Sequence, residues 1–298
     1  VEFHDTVLDQ QRFRVYLMSS AYFALIDTFA DQRFTGNPAG VCLLDREIED
    51  RWLQQFAMEV NQAETAFLLP LQNDWSLRWF TPVCEVDLCG HATMAAAVAL
   101  WRCLGDQVQD RLRFRTRSGE LIARRISAAN HTGRNWTELD FPQELVEPSS
   151  APAGLCESLG LKAQPLGVYR NRMDYLIEIG SYEELMSLQP DMRRLSQIEI
   201  RGIIVTVAAS IRSSSGDMTS DFVSRFFAPR CGVDEDPATG SAHCALLPFW
   251  EQRLGRSCLT GYQASKRGGW VECESSGSRV LLRGKSYCSV EGKYHLEN

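Results

Sequence analysis

Apolar residues recur along this chain with two periods, about two and about four, and the two periods separate its strands from its helices. Residues Tyr22–Asp27 read as a strand. The stretch FADQRFTGNPAGVCLL then predicts a loop, a turn at Gly36-Asn37-Pro38 and a strand over Val41–Leu44. Ile48, Trp52, Phe56 and Val60 fall four apart, so DREIEDRWLQQFAMEVN predicts an amphipathic helix with Asp45 as its N-cap. AETAFLLPL and SLRWFTP predict strands. GHATMAAAVALWRCLG is small or apolar on nearly every side, the signature of a buried helix. RLRFRTRSGELIARRIS alternates around Ser118-Gly119 and predicts a hairpin, and ELDFP one more short strand. The Pro/Ser/Gly-rich segment 147–154 is a candidate linker.

The second half repeats this plan. GVYRNRMDYLIEIGS predicts two strands, SYEELMSLQPDMRRL a helix broken at its proline, and GIIVTVAAS a buried strand. The polar SSSGDMTS loop and the strand DFVSRFFAP follow. GSAHCALLPFWEQRLG predicts a second buried helix, and LTGYQAS, GGWVECESSG and SRVLLRG predict strands. Arg78-Trp-Phe-Thr-Pro matches Arg225-Phe-Phe-Ala-Pro at an offset of 147 residues. That offset also pairs Cys84 with Cys231, Val86 with Val233 and Asp87 with Asp234; after a further three-residue insertion Gly90 pairs with Gly240. A repeat of this size is a duplicated domain, not a solenoid period. It predicts two similar domains, each a helix wrapped by strands, whose Gly-headed helix N-termini face a shared cleft.

A length of 298 residues agrees with two domains, and 44% hydrophobic residues suffice for two cores. The expected divisions are an extension over 1–19 and half-domains over 20–146 and 147–298, the last strand returning to the first half. The N-terminal stretch is charged throughout and lacks the apolar region of a signal peptide; a start at Met18 is the expectation. Asn130-His-Thr and Asn135-Trp-Thr match the glycosylation pattern and are read as chance matches. The net charge of −7, with no basic block, argues against a nucleic acid or an anionic membrane as partner. Ten cysteines without a CxxC pair read as free thiols of a cytoplasmic protein, and no metal site is expected.

Helix N-termini carry unpaired N–H groups and a positive dipole end, which suit a carboxylate or phosphate. Two of them serving one cleft suggest a small anionic substrate. Beside the two glycines stand His91, Asp236 and Ser241, and Glu64 precedes an apolar strand. A carboxyl group beside an apolar core can exchange protons near neutral pH. Taken singly, Glu64 reads equally as a strand-edge acid, His91 as a helix-terminal ring and Asp236 as a turn residue.

Four stretches, DTFADQRFTGNPAGV (27–41), NQAETAF (61–67), LRWFTPVCEVDLCGHATMAAA (77–97) and FFAPRCGVDEDPATGSAHCAL (226–246), resemble the PhzF family of phenazine-biosynthesis-like proteins. The resemblance implies an α+β, diaminopimelate epimerase-like fold of two pseudo-symmetric domains, each a barrel-like sheet around a central helix. It implies a homodimer without metal or organic cofactor that acts on a small-molecule carboxylate. It puts the proton-moving glutamate at Glu64, with His91, Asp236 and Ser241 as its partners in catalysis. Gly90, Gly240, Asn37 and Thr239 become substrate-holding positions.

Epimerases of the wider fold use two cysteines, one heading each central helix. The corresponding positions here are Cys89 and Thr239. A hydroxyl is far too weak an acid to replace a thiol in proton exchange. The leading expectation is therefore a cofactor-independent isomerase in which Glu64 alone moves a proton between two carbons, with Cys89 a small buried residue at a helix start. The alternatives are a racemase or epimerase of an amino-acid-like substrate and a non-catalytic binding protein. FADQRF, SSSGDMTS and residues 169–175 are the segments expected to choose the substrate.

Overall fold

The computed structural model describes residues 22–126 and 136–295. The N-terminal extension and the sequon asparagines Asn130 and Asn135 lie outside them. The chain divides into two compact units. The first holds the described residues up to Thr28, Pro38–Leu139 and those from Ser286 onward; the second holds Phe29–Asn37 and Asp140–Lys285.

The first unit is built from β1 (Tyr22–Thr28), β2 (Asn37–Leu43), α1 (Asp50–Val60), β3 (Glu64–Pro70), β4 (Trp75–Phe80), β5 (Glu85–Val86), α2 (Gly90–Leu104), β6 (Arg111–Thr116), β7 (Gly119–Arg125) and β8 (Trp136–Pro142). Its sheet runs β1-β2-β3-β4-β6-β7-β8, with β5 beside β4. β2 and β3 pair in parallel, Ala39 opposite Glu64. α2 packs against β1, β3 and β7. Its alanine run makes this possible: a helix with buried residues all round must offer small side chains to strands on several sides.

The second unit contains β9 (Glu147–Pro148), α3 (Leu155–Leu159), β10 (Gly167–Arg170), β11 (Asp174–Glu178), α4 (Tyr182–Ser187), α5 (Met192–Leu195), β12 (Gly202–Val207), β13 (Phe222–Phe227), α6 (Gly240–Leu254), β14 (Cys258–Gln263), β15 (Gly269–Ser276) and β16 (Arg279–Lys293). Its sheet runs β16-β15-β14-β13-β12-β11-β10-β9. β16 outruns the predicted strand: residues 279–283 pair with β15, and 286–293 pair antiparallel with β1 in the first unit's sheet. α6 packs on β14 and β15 and carries Pro248 in its interior. A proline there leaves the carbonyl four residues back without its helical partner. That carbonyl, of Cys244, accepts the Glu144 backbone N–H at 3.0 Å instead.

Each unit is thus mixed α+β around its own helix, with the segregated core that patterning predicts. Cys42, Phe67 and Phe80 pack with Leu53 and Ala57 of α1 in the first, and Ile177, Ile203, Val205 and Phe227 pack together in the second. Three local expectations are corrected. Asp45 caps nothing: α1 starts at Asp50 behind Glu49, and Ile48 joins the same core from outside the helix, which stretched the apparent period. Asn37 and Pro38 belong to β2, leaving Gly36, at φ 70°, as the turn residue.

The third correction concerns the repeat. Arg78 grips Glu85 through Nε and Nη2, both at 2.7 Å, and lies over the Phe80 ring at 5.1 Å. Arg225 grips Glu235 the same way at 2.7 and 2.9 Å, over Phe227 at 4.9 Å. Thr81 N–H closes its turn on Cys84 O at 2.9 Å, and Ala228 N–H on Val233 O at 3.1 Å. Glu85 and Glu235 are therefore counterparts, and the insertion sits inside the turn. The matching Cys-x-Val-Asp letters are not structural equivalents; the Arg–Glu clamps are.

Candidate active site

In the first unit, α2 begins immediately after Cys89, whose extended backbone makes it the N-cap. His91 follows in the first turn and Glu64 heads β3. The imidazole of His91 is 5% exposed. Its Nδ1 lies 3.4 Å from Cys89 Sγ, and its Nε2 lies 3.2 Å from Glu64 Oε2. The latter is an ion-pair distance without hydrogen-bond alignment. Burial lowers the His91 pKa to about 3, so the ring is neutral at pH 7 and carries one proton. The three groups form a chain: sulfur at one ring nitrogen, carboxylate at the other.

Glu64, Cys89 and His91 also offer three metal-type donors within 4.8 Å of one another. Each ring nitrogen already faces a different partner, which suits proton transfer along the chain better than one coordination sphere. A separate surface depression, bounded by Asp74, Trp75, Gln107 and Arg113, contains none of the expected site residues.

In the second unit, Thr239 is the N-cap of α6. Its hydroxyl donates to Asp236 Oδ2. Asn37, fully buried, donates from Nδ2 to Asp236 Oδ1 at 2.8 Å and to Ala238 O at 3.0 Å. Gln263 Oε1 accepts the Thr239 N–H at 2.9 Å, and its Nε2 donates to Asp236 O at 2.6 Å. The DPAT turn lies so close to β15 that a Cβ on Gly269 would sit 2.4 Å from that of Ala238; glycine is required there. Burial raises the Asp236 pKa to about 6, against the opposing pull of Thr239, Asn37 and Arg201.

Ser241 is held elsewhere. Its Oγ accepts Arg201 Nη1 at 2.9 Å. Arg201 is itself clamped by the fully buried Asp174, through Nε at 2.9 Å and through Nη2. Gly202 permits this approach, since a Cβ there would meet Asp174 Oδ1 at 2.8 Å and the Phe226 ring. His243 Nδ1 lies 2.9 Å from Thr239 O, and burial lowers its pKa to about 4. Cys244 is buried and its thiol pushed up to about 12, chiefly by desolvation, so it is unfit as a base. Of the segments expected to choose the substrate, FADQRF and SSSGDMTS touch: Asp31 accepts the Ser214 N–H at 2.7 Å and the Ser215 hydroxyl.

The structure thus brings Glu64 to His91, and Asn37 and Thr239 to Asp236, while Ser241 joins Arg201. Gly90 and Gly240 open their helices as expected. Sequence reasoning missed Arg201 and Asp174; neither sits in a recognisable pattern, and only the glycine after Arg201 hinted at close approach. It gave Cys89 no chemical partner, because a contact two residues away around a helix cap depends on rotamers.

Comparison with known proteins agrees with this architecture. Residues 26–292 match the model of the PhzC-PhzF family, phenazine biosynthesis-like proteins. A protein of Halalkalibacterium halodurans described as an uncharacterized isomerase is 46% identical over 88% of this chain and 94% of its own length. A second uncharacterized isomerase, from Pseudomonas aeruginosa, is 43% identical over 91% of this chain and 97% of its own. The crystal structure of a PhzF-family protein of Enterococcus faecalis superposes with a TM-score of 0.82 at 34% identity, covering 93% of this chain and all of that one. The fold is the mixed α+β, diaminopimelate epimerase-like architecture of an isomerase-type enzyme. No helix among the described residues is long and apolar enough to cross a membrane. The family match, the identity to these relatives and the shared fold together make this chain a member of the PhzF family of phenazine biosynthesis-like proteins.

Proposed function

We propose that the protein is a cofactor-independent isomerase of a small carboxylate-bearing metabolite, with Glu64 as its single proton carrier. Glu64 takes a proton from one carbon of an unsaturated substrate and returns it to another on the same face. The double bond shifts and nothing is gained or lost. His91 holds the Glu64 carboxyl. The Asn37–Asp236–Thr239 cluster and the Arg201–Ser241 pair bind and orient the substrate. Gly90 and Gly240 offer helix-terminal N–H groups to its carboxylate.

One observation carries this reading against an epimerase. The first cap is a thiol in line with an imidazole and a carboxylate, whereas the second cap, Thr239, is a hydroxyl spent on Asp236. This favours the α2 start as the place where a proton is exchanged. Incubation in D2O with a panel of cyclic and unsaturated carboxylic acids tests it, following solvent deuterium by NMR. Deuterium entering the isomerised product, lost in Glu64→Gln, is the expected result. Exchange that survives Glu64→Gln, or that inverts a stereocentre, would reject it.

A further inference from the structure

We infer that Cys89 is a positioning residue: its thiol donates to His91 Nδ1, holds the ring as the Nε2–H tautomer and so keeps that N–H on the side of the Glu64 carboxyl, 3.2 Å from Oε2. This rests on the Glu64 reading above and goes beyond it by assigning the thiol a task.

The assignment follows from which groups can give a proton. A neutral imidazole has one N–H and one lone pair. Cys89 Sγ stands 3.4 Å from Nδ1 and Glu64 Oε2 stands 3.2 Å from Nε2. With the proton on Nδ1, the Nε2 lone pair would face a carboxylate oxygen, acceptor against acceptor. Sulfur would then have to accept, which it does poorly. With the proton on Nε2, the carboxylate faces the positive end of an N–H dipole and the S–H meets a nitrogen lone pair. The Nε2–Oε2 contact is not aligned as a hydrogen bond, but only this tautomer sets opposite polarities together at both ring nitrogens.

Cys89 must keep its proton for this to hold. Two observations favour the thiol. Sγ is buried, and the Glu64 carboxylate lies within 4.8 Å; both disfavour a second negative charge. The pull of the α2 N-terminus toward thiolate is a smaller effect.

A threonine at the other cap cannot set the tautomer of His243 in this way, since that ring's Nδ1 faces the Thr239 carbonyl.

The test needs no substrate. Protein labelled at histidine nitrogen is examined at neutral pH by long-range proton–nitrogen correlation, with His91 assigned by its loss in His91→Asn. Wild type and Cys89→Ser are expected to hold the proton on Nε2. Cys89→Ala should shift the tautomer ratio about five- to tenfold toward Nδ1–H, the worth of one hydrogen bond. The Ser variant separates donation from packing, since it restores a donor and leaves a smaller side chain. A wild-type ring protonated on Nδ1, or a ratio unmoved in Cys89→Ala, overturns the inference; so does a Ser variant that behaves like Ala. Deuterium exchange by Glu64→Gln is read in parallel. If that variant keeps exchange while the tautomer shifts as expected, the proton-carrier reading fails and the positioning role stands.

Discussion

The two central helices start alike and are equipped differently. Both begin at a glycine after an extended cap and pack against strands of their own unit. At α2 the cap is a thiol, and a neutral buried imidazole links it to a carboxylate. At α6 the cap is a hydroxyl, and Asp236, Asn37 and Gln263 bind it into a fixed polar network. A duplicated backbone keeps its folding clamps, Arg78–Glu85 and Arg225–Glu235, while its two helix starts diverge. The clamps answer to stability and must be kept in both units. On the proposed function the helix starts answer to chemistry, and a single proton carrier at Glu64 needs only one of them.

The contrast breaks most visibly at Glu64. Glu64→Gln should lower proton exchange about 10²- to 10⁴-fold, the usual range for a general acid–base group, with the urea midpoint unchanged. Next is Asp174, which clamps Arg201. Asp174→Ala strands the Arg201 guanidinium and should cost about 3 kcal/mol in urea unfolding, less the relief from Arg201's access to solvent. A midpoint equal to wild type would show that Arg201 needs no clamp.

Titration separates the helix starts further. The Asp236 pKa is raised in the folded protein, so its contribution to stability is present below pH 4 and lost as pH rises to about 6. The His91 and His243 pKa values are lowered to about 3 and about 4, so their contribution is present above pH 6.5 and lost on acidification. In Asp236→Asn only the histidine slope remains. Its stability relative to wild type should therefore rise by about 2 kcal/mol between pH 4 and 6, read by calorimetry. Parallel curves would mean that Asp236 titrates normally.

The smallest effect is expected at the second cap. Thr239→Cys restores a thiol to both helix starts but removes a donor to Asp236. It should cost about 1 kcal/mol and create no racemisation of a chiral amino or imino acid. Racemase activity gained by this one change would show that the caps are interchangeable.

Much of this was legible in the letters, for reasons that differ by feature. The two buried helices and most strands follow from local periodicity, which tertiary packing here reinforces. The motifs around Glu64, Gly90 and Gly240 are local in sequence and marked the helix starts correctly. Register was less secure: Cys-x-Val-Asp aligns well as text, yet the hydrogen bonds place the insertion inside the preceding turn. The period through Ile48 likewise overran its helix, because a core accepts an apolar side chain from coil as readily as from helix.

By itself, then, the sequence determined the class of most elements, the duplicated plan and the residue types that stand at the two helix starts. Only the tertiary structure decided their partners: Glu64 with His91 and Cys89, Asp236 with Asn37, and Ser241 with the unforeseen Arg201 and Asp174. The reason is physical. Helix and strand preferences are set within a few residues, whereas a pKa or a hydrogen bond is set by whatever the fold brings within about 3–4 Å.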